Sequence, residues 1–184
     1  MDIIVKYIDE LLEKSTPDAP MWNIEKIRDG GVKSNWNYID GVMIKAVLQM
    51  YDVTKDEKYL KFADNFIDYR VHEDGTIDGY SIGEKNIDNV NAGKTLFELY
   101  DLTGKEKYRK AIDLVYSQIE IMPRCNNEAR SFWHKDIYPN QVWLDGMYMG
   151  QPFYLEYETK FNNRKNYPDI FAQFKYVIEN MKNP

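Results

Sequence analysis

The 184-residue sequence predicts an all-α fold of stacked αα-hairpins, and three observations carry that prediction. The stretch Tyr51–Tyr59 (YDVTKDEKY) returns as Tyr100–Tyr108 (YDLTGKEKY), identical at six of nine positions and 49 residues further on. A degenerate third copy runs from Tyr157-Glu158-Thr159 to Tyr167-Pro168. Self-similarity at such a period marks stacked helical units. The flanks of each copy are apolar at three- and four-residue steps, the spacing of one helix face. No stretch reads convincingly as a strand, and Pro and Gly sit mainly between the periodic segments.

A first helix is expected over roughly 2–14, ended by Pro17, which cannot donate to a helical ladder. In the first hairpin Ile39, Val42, Met43, Ala46, Val47 and Met50 precede the turn, and Tyr59, Phe62, Ala63, Phe66 and Ile67 follow it. The second offers Leu96, Leu99 and Tyr100, then Tyr108, Ala111, Ile112, Val115 and Ile119. The third has Met149, Phe153 and Leu155, then Phe171, Phe174, Val177 and Ile178. At the first two turns Thr54 with Glu57, and Thr103 with Glu106, spell Ser/Thr-x-x-Glu, so each second helix is expected to begin in a capping box. Polar loops near 15–35, 71–87 and 122–141 connect the hairpins. Loops that long in a compact domain usually carry function.

Composition excludes several classes. At 43% hydrophobic residues the chain is not disordered, and a net charge of −6 argues against a nucleic-acid partner, whose phosphates need a basic face. No apolar run reaches membrane-spanning length. The N-terminus carries charges where a leader peptide needs an apolar stretch, so a cytoplasmic location is expected. The single Cys125 cannot form an internal disulfide, in keeping with a reducing compartment. Fifteen Tyr against eight Phe suits half-wet surfaces such as a carbohydrate cleft.

The richest segment is Phe132–Met149 (FWHKDIYPNQVWLDGMYM). It gathers Trp, Tyr, His and carboxylates whose rings can stack on sugars and whose polar groups can move protons. Asp145 lies 12 residues before Tyr157, and Asp88 lies 12 before Tyr100; the same offset in the first copy falls at Ile39, between Tyr38 and Asp40. Two carboxylates are thus expected at equivalent helix N-terminal ends, sharing one rim fed by the long loops. An N-cap role is the plain alternative, more so for Asp88 than for Asp145. The spacing of His134, Asp136 and Asp145 matches no metal-ligand pattern, and no phosphate loop is present. Neither metal nor cofactor is expected.

Three stretches together resemble a known family. They are Trp36-Asn37-Tyr38 followed by Gly41-Val42, Asn86–Lys94 (NIDNVNAGK), and Phe132–Lys135 with Tyr138-Pro139-x-Gln141-x-Trp143-Leu144-Asp145-Gly146-x-Tyr148-Met149. In order and spacing the chain resembles the unsaturated rhamnogalacturonyl hydrolases of glycoside hydrolase family 105, kin of the unsaturated glucuronyl hydrolases. The resemblance implies an (α/α)6 toroid. Six hairpins at this period need on the order of 300 residues. Residues 1–184 are therefore expected to be the N-terminal half of one catalytic domain, a fragment whose open apolar flank favours self-association.

The resemblance further implies hydration of a 4,5-unsaturated uronic acid on pectin-derived, rhamnogalacturonan oligosaccharides. Asp145 matches the general acid/base and Asp88 the second carboxylate. Tyr38, His134 and Trp143 match residues that line the site, and Lys135, Gln141 and Trp36 match in sequence as further substrate contacts. Acid and base duty in one residue calls for a pKa near working pH, favoured by a neighbouring carboxylate and partial burial. An inverting glycosidase on the same fold and a non-catalytic helical scaffold are the alternatives.

Overall fold

Three αα-hairpins follow a solitary helix and a short helical segment in the computed structural model, which describes residues 2–31 and 33–181. The α-helices are α1 (Asp2–Glu13), α2 (Ile24–Gly30), α3 (Tyr38–Thr54), α4 (Glu57–Asp68), α5 (Lys94–Thr103), α6 (Glu106–Ile121), α7 (Leu144–Phe161) and α8 (Tyr167–Asn180). The expected all-α architecture holds: the described residues contain three isolated antiparallel bridges and no strand. Helix α2 lies inside what the sequence presents as a loop, because its few apolar residues show no long period. No helix among the described residues is long and apolar enough to cross a membrane.

The repeat has a different chemistry from the expected capping box. Thr54 and Thr103 do not cap the next helix. Each turns its hydroxyl back to the carbonyl four residues earlier, Met50 and Leu99, at 2.6 Å. The N-cap of α4 is Asp56, whose carboxylate accepts from Lys58 N, and α6 starts at Lys105 without a side-chain cap. Between them, aligned Lys55 and Gly104 close α3 and α5 in the left-handed conformation, φ 58° and 68°. The repeated Tyr and Glu bond each other, Tyr51 to Glu57 and Tyr100 to Glu106, both at 3.3 Å. The repeat therefore encodes a turn latch.

Buried apolar side chains from every hairpin meet in one core, including Ile44 and Leu48 of α3, Phe66 of α4, Phe97 of α5, Ile112 of α6 and Phe153 of α7. Polar links tie neighbouring hairpins. Lys105 bridges Asp64 and Asp68 of α4 at 2.7 Å each. On the other side, Lys45 of α3 pairs with Glu98 of α5, and Lys160 of α7 with Asp101 of α5. Pro152 sits inside α7 and cannot donate to the Tyr148 carbonyl four residues back. That carbonyl accepts instead from Lys94 at 3.1 Å, while the Lys94 ammonium lies 3.9 Å from the Tyr148 ring centroid. Burial, and secondarily Lys45, lower the Lys94 pKa to about 8. Phe171, Phe174 and Ile178, which the sequence places on the apolar face of the third hairpin, are exposed instead and form a stripe on α8 at i, i+3 and i+7.

Candidate functional site

A seven-residue 3-10 segment, Ile87–Gly93, runs straight into α5 and carries Asp88. Asn86 caps it, its side chain accepting from Asp88 N. The segment is wedged between α3 and α7 by small residues. A Cβ on Gly41 would sit 2.6 Å from Ala92 Cα, and one on Gly150 would sit 2.7 Å from Ile87 Cδ1. The 12-residue offset therefore places Asp145 in the first turn of α7, but Asp88 on a tighter turn that precedes its helix.

The long 122–141 loop is fastened onto this segment. Ile87 N donates to His134 O at 3.0 Å, His134 N donates to Gln141 O at 2.8 Å, and Asn86 bridges Lys135. These backbone bonds set His134 and Lys135 against Asp88. Lys135 Nζ lies 2.7 Å from Asp88 Oδ2, and His134 Nε2 lies 3.4 Å from Asp88 Oδ1. Asp145 completes the cluster: one donor atom each from Asp88, His134 and Asp145 lies within 4.8 Å of the others. Asp88 and His134 are buried, and Asp145 is exposed at the rim. Asp136 is turned the other way, 3.7 Å from Lys85.

Aromatic rings wall one side. Trp143 stacks on His134 at 4.2 Å and 10°, and Tyr138 on Trp143 at 5.1 Å and 19°. Gln141 accepts from the Trp143 indole N–H at 2.9 Å, which fixes the ring. His134 is only 2% exposed, and burial drives its pKa below the ordinary value, partly opposed by the Asp88 and Asp145 carboxylates. Burial thus favours the uncharged imidazole. Neither ring nitrogen of His134, nor Asp88 Oδ1, has a hydrogen-bond partner among the described residues. Buried atoms of that kind mark a place where a polar group is received.

The structure thus brings together Asp88, Asp145, His134, Lys135, Trp143 and Gln141. Tyr38, 42% exposed, stands at the start of α3, where its carbonyl accepts from Asn91 of the 3-10 segment. Trp36 is placed differently from the expected substrate contact. It is 4% exposed, and its indole donates to Asn89 O at 2.9 Å, so it supports the Asp88 turn from beneath.

Sequence reasoning leaves out other contributors. Gln118, fully buried on α6, donates to Asn86 O at 2.8 Å and accepts from Tyr80 at 2.7 Å, steadying the same turn. Gly146 leaves room for His134: a Cβ there would meet Nδ1 at 2.9 Å. Its signal in the sequence is a glycine directly after a helix-starting Asp. Asp40 mirrors the other two carboxylates at the start of α3, yet it is internal, accepting from Trp22 at 2.7 Å and Asn37 at 2.9 Å. Burial raises its pKa.

Comparisons with known proteins agree with this architecture. The solved structure of a glycoside hydrolase from family 105 of C. acetobutylicum ATCC 824 is similar at 43% sequence identity and a TM-score of 0.78. The similarity covers 86% of this chain, and the chain spans 44% of the length of that structure. The family model for Glycosyl Hydrolase Family 88 matches residues 14–184. With a match over nearly its whole length, the chain belongs to glycosyl hydrolase family 88.

Proposed function

We propose that this chain carries the acid/base half of a hydrolase that hydrates 4,5-unsaturated uronic acids at the ends of pectin-derived, rhamnogalacturonan oligosaccharides. The observation that carries the proposal is the convergence of Asp88, His134 and Asp145 within 4.8 Å beneath a stacked aromatic wall. Family membership and the family 105 relative support the same class of chemistry. Residues 1–184 are taken as the N-terminal part of a single toroid catalytic domain.

In the proposed reaction, protonated Asp145 gives its proton to C4 of the vinyl ether. Positive charge develops at C5 and the ring oxygen. The Asp145 carboxylate then takes a proton from the water whose oxygen bonds to C5. The C5 hemiketal opens to a ketone, leaving a hemiacetal at C1 that releases the remaining saccharide as an alcohol. Asp145 is exposed at the rim rather than partly buried as the sequence suggests, and there a sugar and water both reach it beside the Asp88 carboxylate. Asp88 suits a positioning role. It is buried, its Oδ2 is held by Lys135, and its Oδ1 is left to accept from a sugar hydroxyl or the water. Trp143, 38% exposed, and Tyr38 offer ring faces to the sugar.

An inverting glycosidase pair needs carboxyl groups about 6.5–9.5 Å apart to admit a water at the anomeric carbon. One carboxylate oxygen of Asp88 lies within 4.8 Å of one of Asp145, a closeness that speaks against an inverting pair. The test is loss of the ultraviolet absorbance of the conjugated unsaturated acid, followed with lyase-generated rhamnogalacturonan fragments and a protein containing this chain. General acid–base catalysis contributes about 10²–10⁴-fold, so Asp145→Asn should lose that much turnover and keep its circular dichroism. Cleavage of saturated glycosides with unsaturated ones ignored would overturn the proposal. The exposed α8 stripe supports self-association of the chain, read by sedimentation equilibrium.

A further inference from the structure

We propose that Asp88, His134 and Asp145 also form a binding site for a divalent transition-metal ion of the zinc class, which competes with the saccharide. The three residues each offer a ligand atom, and those atoms lie within 4.8 Å of one another. Zinc bonds to imidazole nitrogen and carboxylate oxygen are about 2.0–2.1 Å, so neighbouring ligands of a tetrahedral ion stand about 3.3–3.4 Å apart. His134 Nε2 and Asp88 Oδ1 already stand at that separation, 3.4 Å. They do so without a hydrogen bond between them.

A second observation is independent of this spacing. His134 is 2% exposed, and neither of its ring nitrogens has a partner among the described residues. A buried imidazole is normally satisfied on at least one nitrogen. Here its Nε2 faces the free oxygen of Asp88. Two carboxylates balance the charge of a divalent ion, and Lys135 occupies Asp88 Oδ2, leaving Oδ1 to the ion. Exposed Asp145 provides the entry side and the third ligand. An imidazole in the set selects zinc-like ions over magnesium and calcium, which prefer oxygen alone. A fourth position stays open to water.

Titration calorimetry of the full chain with zinc chloride reads this directly, without any assumption about substrate, so its outcome is separable from that of the hydration assay. One zinc per chain is expected, with affinity falling about tenfold or more in His134→Gln and in Asp145→Asn. Magnesium chloride at the same concentration should give no binding heat. Circular dichroism confirms that each variant is folded, and Asp145→Asn, altered at an exposed position, serves if His134→Gln does not fold. Absence of zinc binding, or equal binding of magnesium, overturns the proposal. So does affinity unchanged in the folded variants but lost in His72→Gln, which would place the ion at the exposed His72–Asp78 pair.

Discussion

Gly41→Ala sets two effects of opposite sign against each other. Gly41 lies inside α3, where alanine is favoured over glycine by up to about 1 kcal/mol of helix propensity. Against that gain, the added Cβ would lie 2.6 Å from Ala92 Cα, 2.7 Å from Ala92 N and 2.9 Å from Asn91 Nδ2. Carbon atoms pack at about 3.5–4.0 Å, so the 3-10 segment must retreat by close to 1 Å. It has little room to do so. On its far side Gly93 already faces Phe153 and Val115, at 3.0 Å from where a Cβ would stand. Because the added Cβ meets backbone rather than a flexible side chain, the overpacking cost lies in the upper part of the usual range, about 2–3 kcal/mol, which leaves a net loss of about 1–2 kcal/mol after the propensity gain. For a chain of this size each kcal/mol moves the melting temperature by about 2–4 °C. Thermal unfolding followed by circular dichroism should therefore show a fall of about 2–8 °C. Gly30→Ala is the control, since nothing stands within 4 Å of its added Cβ, and its melting temperature should hardly move. A Gly41→Ala protein that melts at or above the parent temperature would refute the wedge argument.

Three further outcomes are expected. Glu158 is fully buried; burial alone would raise its pKa, but donors from Asn162, Asn166 and Tyr116 hold it below the ordinary 4.5. A folded pKa below the unfolded one means stability that is fully present above about pH 4.5 and lost as pH falls through the folded value. Glu158→Gln should therefore be less stable near neutrality and show a flatter acid limb in urea titrations; an unchanged limb would contradict the assignment. Trp36→Phe removes the indole donor to Asn89 O and should cost about 1–2 kcal/mol in chemical unfolding, with any activity loss exceeding what the loss of fold explains. Lys135→Met leaves the buried Asp88 carboxylate without its ammonium and should cost about 3 kcal/mol or more in chemical unfolding; a neutral result would show that the ion pair adds nothing to stability.

Much of this molecule is legible in its sequence because its rules are local. The Tyr-x-x-Thr turns, the three hairpins and the first helix follow from periodicity, but α5 starts at Lys94, six residues after the Asp88 that the offset puts at its N-terminal end, because Ile87–Gly93 winds into a 3-10 segment first. Helix α2 escapes because seven residues give barely two turns of signal. The capping box misleads because a Thr near a helix end can bond backward as readily as forward, and spacing alone does not say which. The pairing of Asp88 with Asp145 was readable from their common distance to the repeated Tyr. The burial of Trp36 was not, since an aromatic beside a predicted helix start serves equally as floor or as wall. Gln118 was invisible for a similar reason: its partners Asn86 and Tyr80 come from another part of the chain.

The fastening of the 122–141 loop onto the Asp88 turn has a consequence for how this protein comes into being. The bond from Ile87 N to His134 O closes a span of 47 residues that contains α5 and α6. Closing spans of that length is slow beside the formation of a single hairpin. The three hairpins can each condense early from neighbours in sequence, whereas the carboxylates meet only when the second and third hairpins have docked. Assembly of the carboxylate cluster is therefore expected late in folding, and backbone amides at Ile87 and His134 should gain hydrogen-exchange protection after those of α5 and α6.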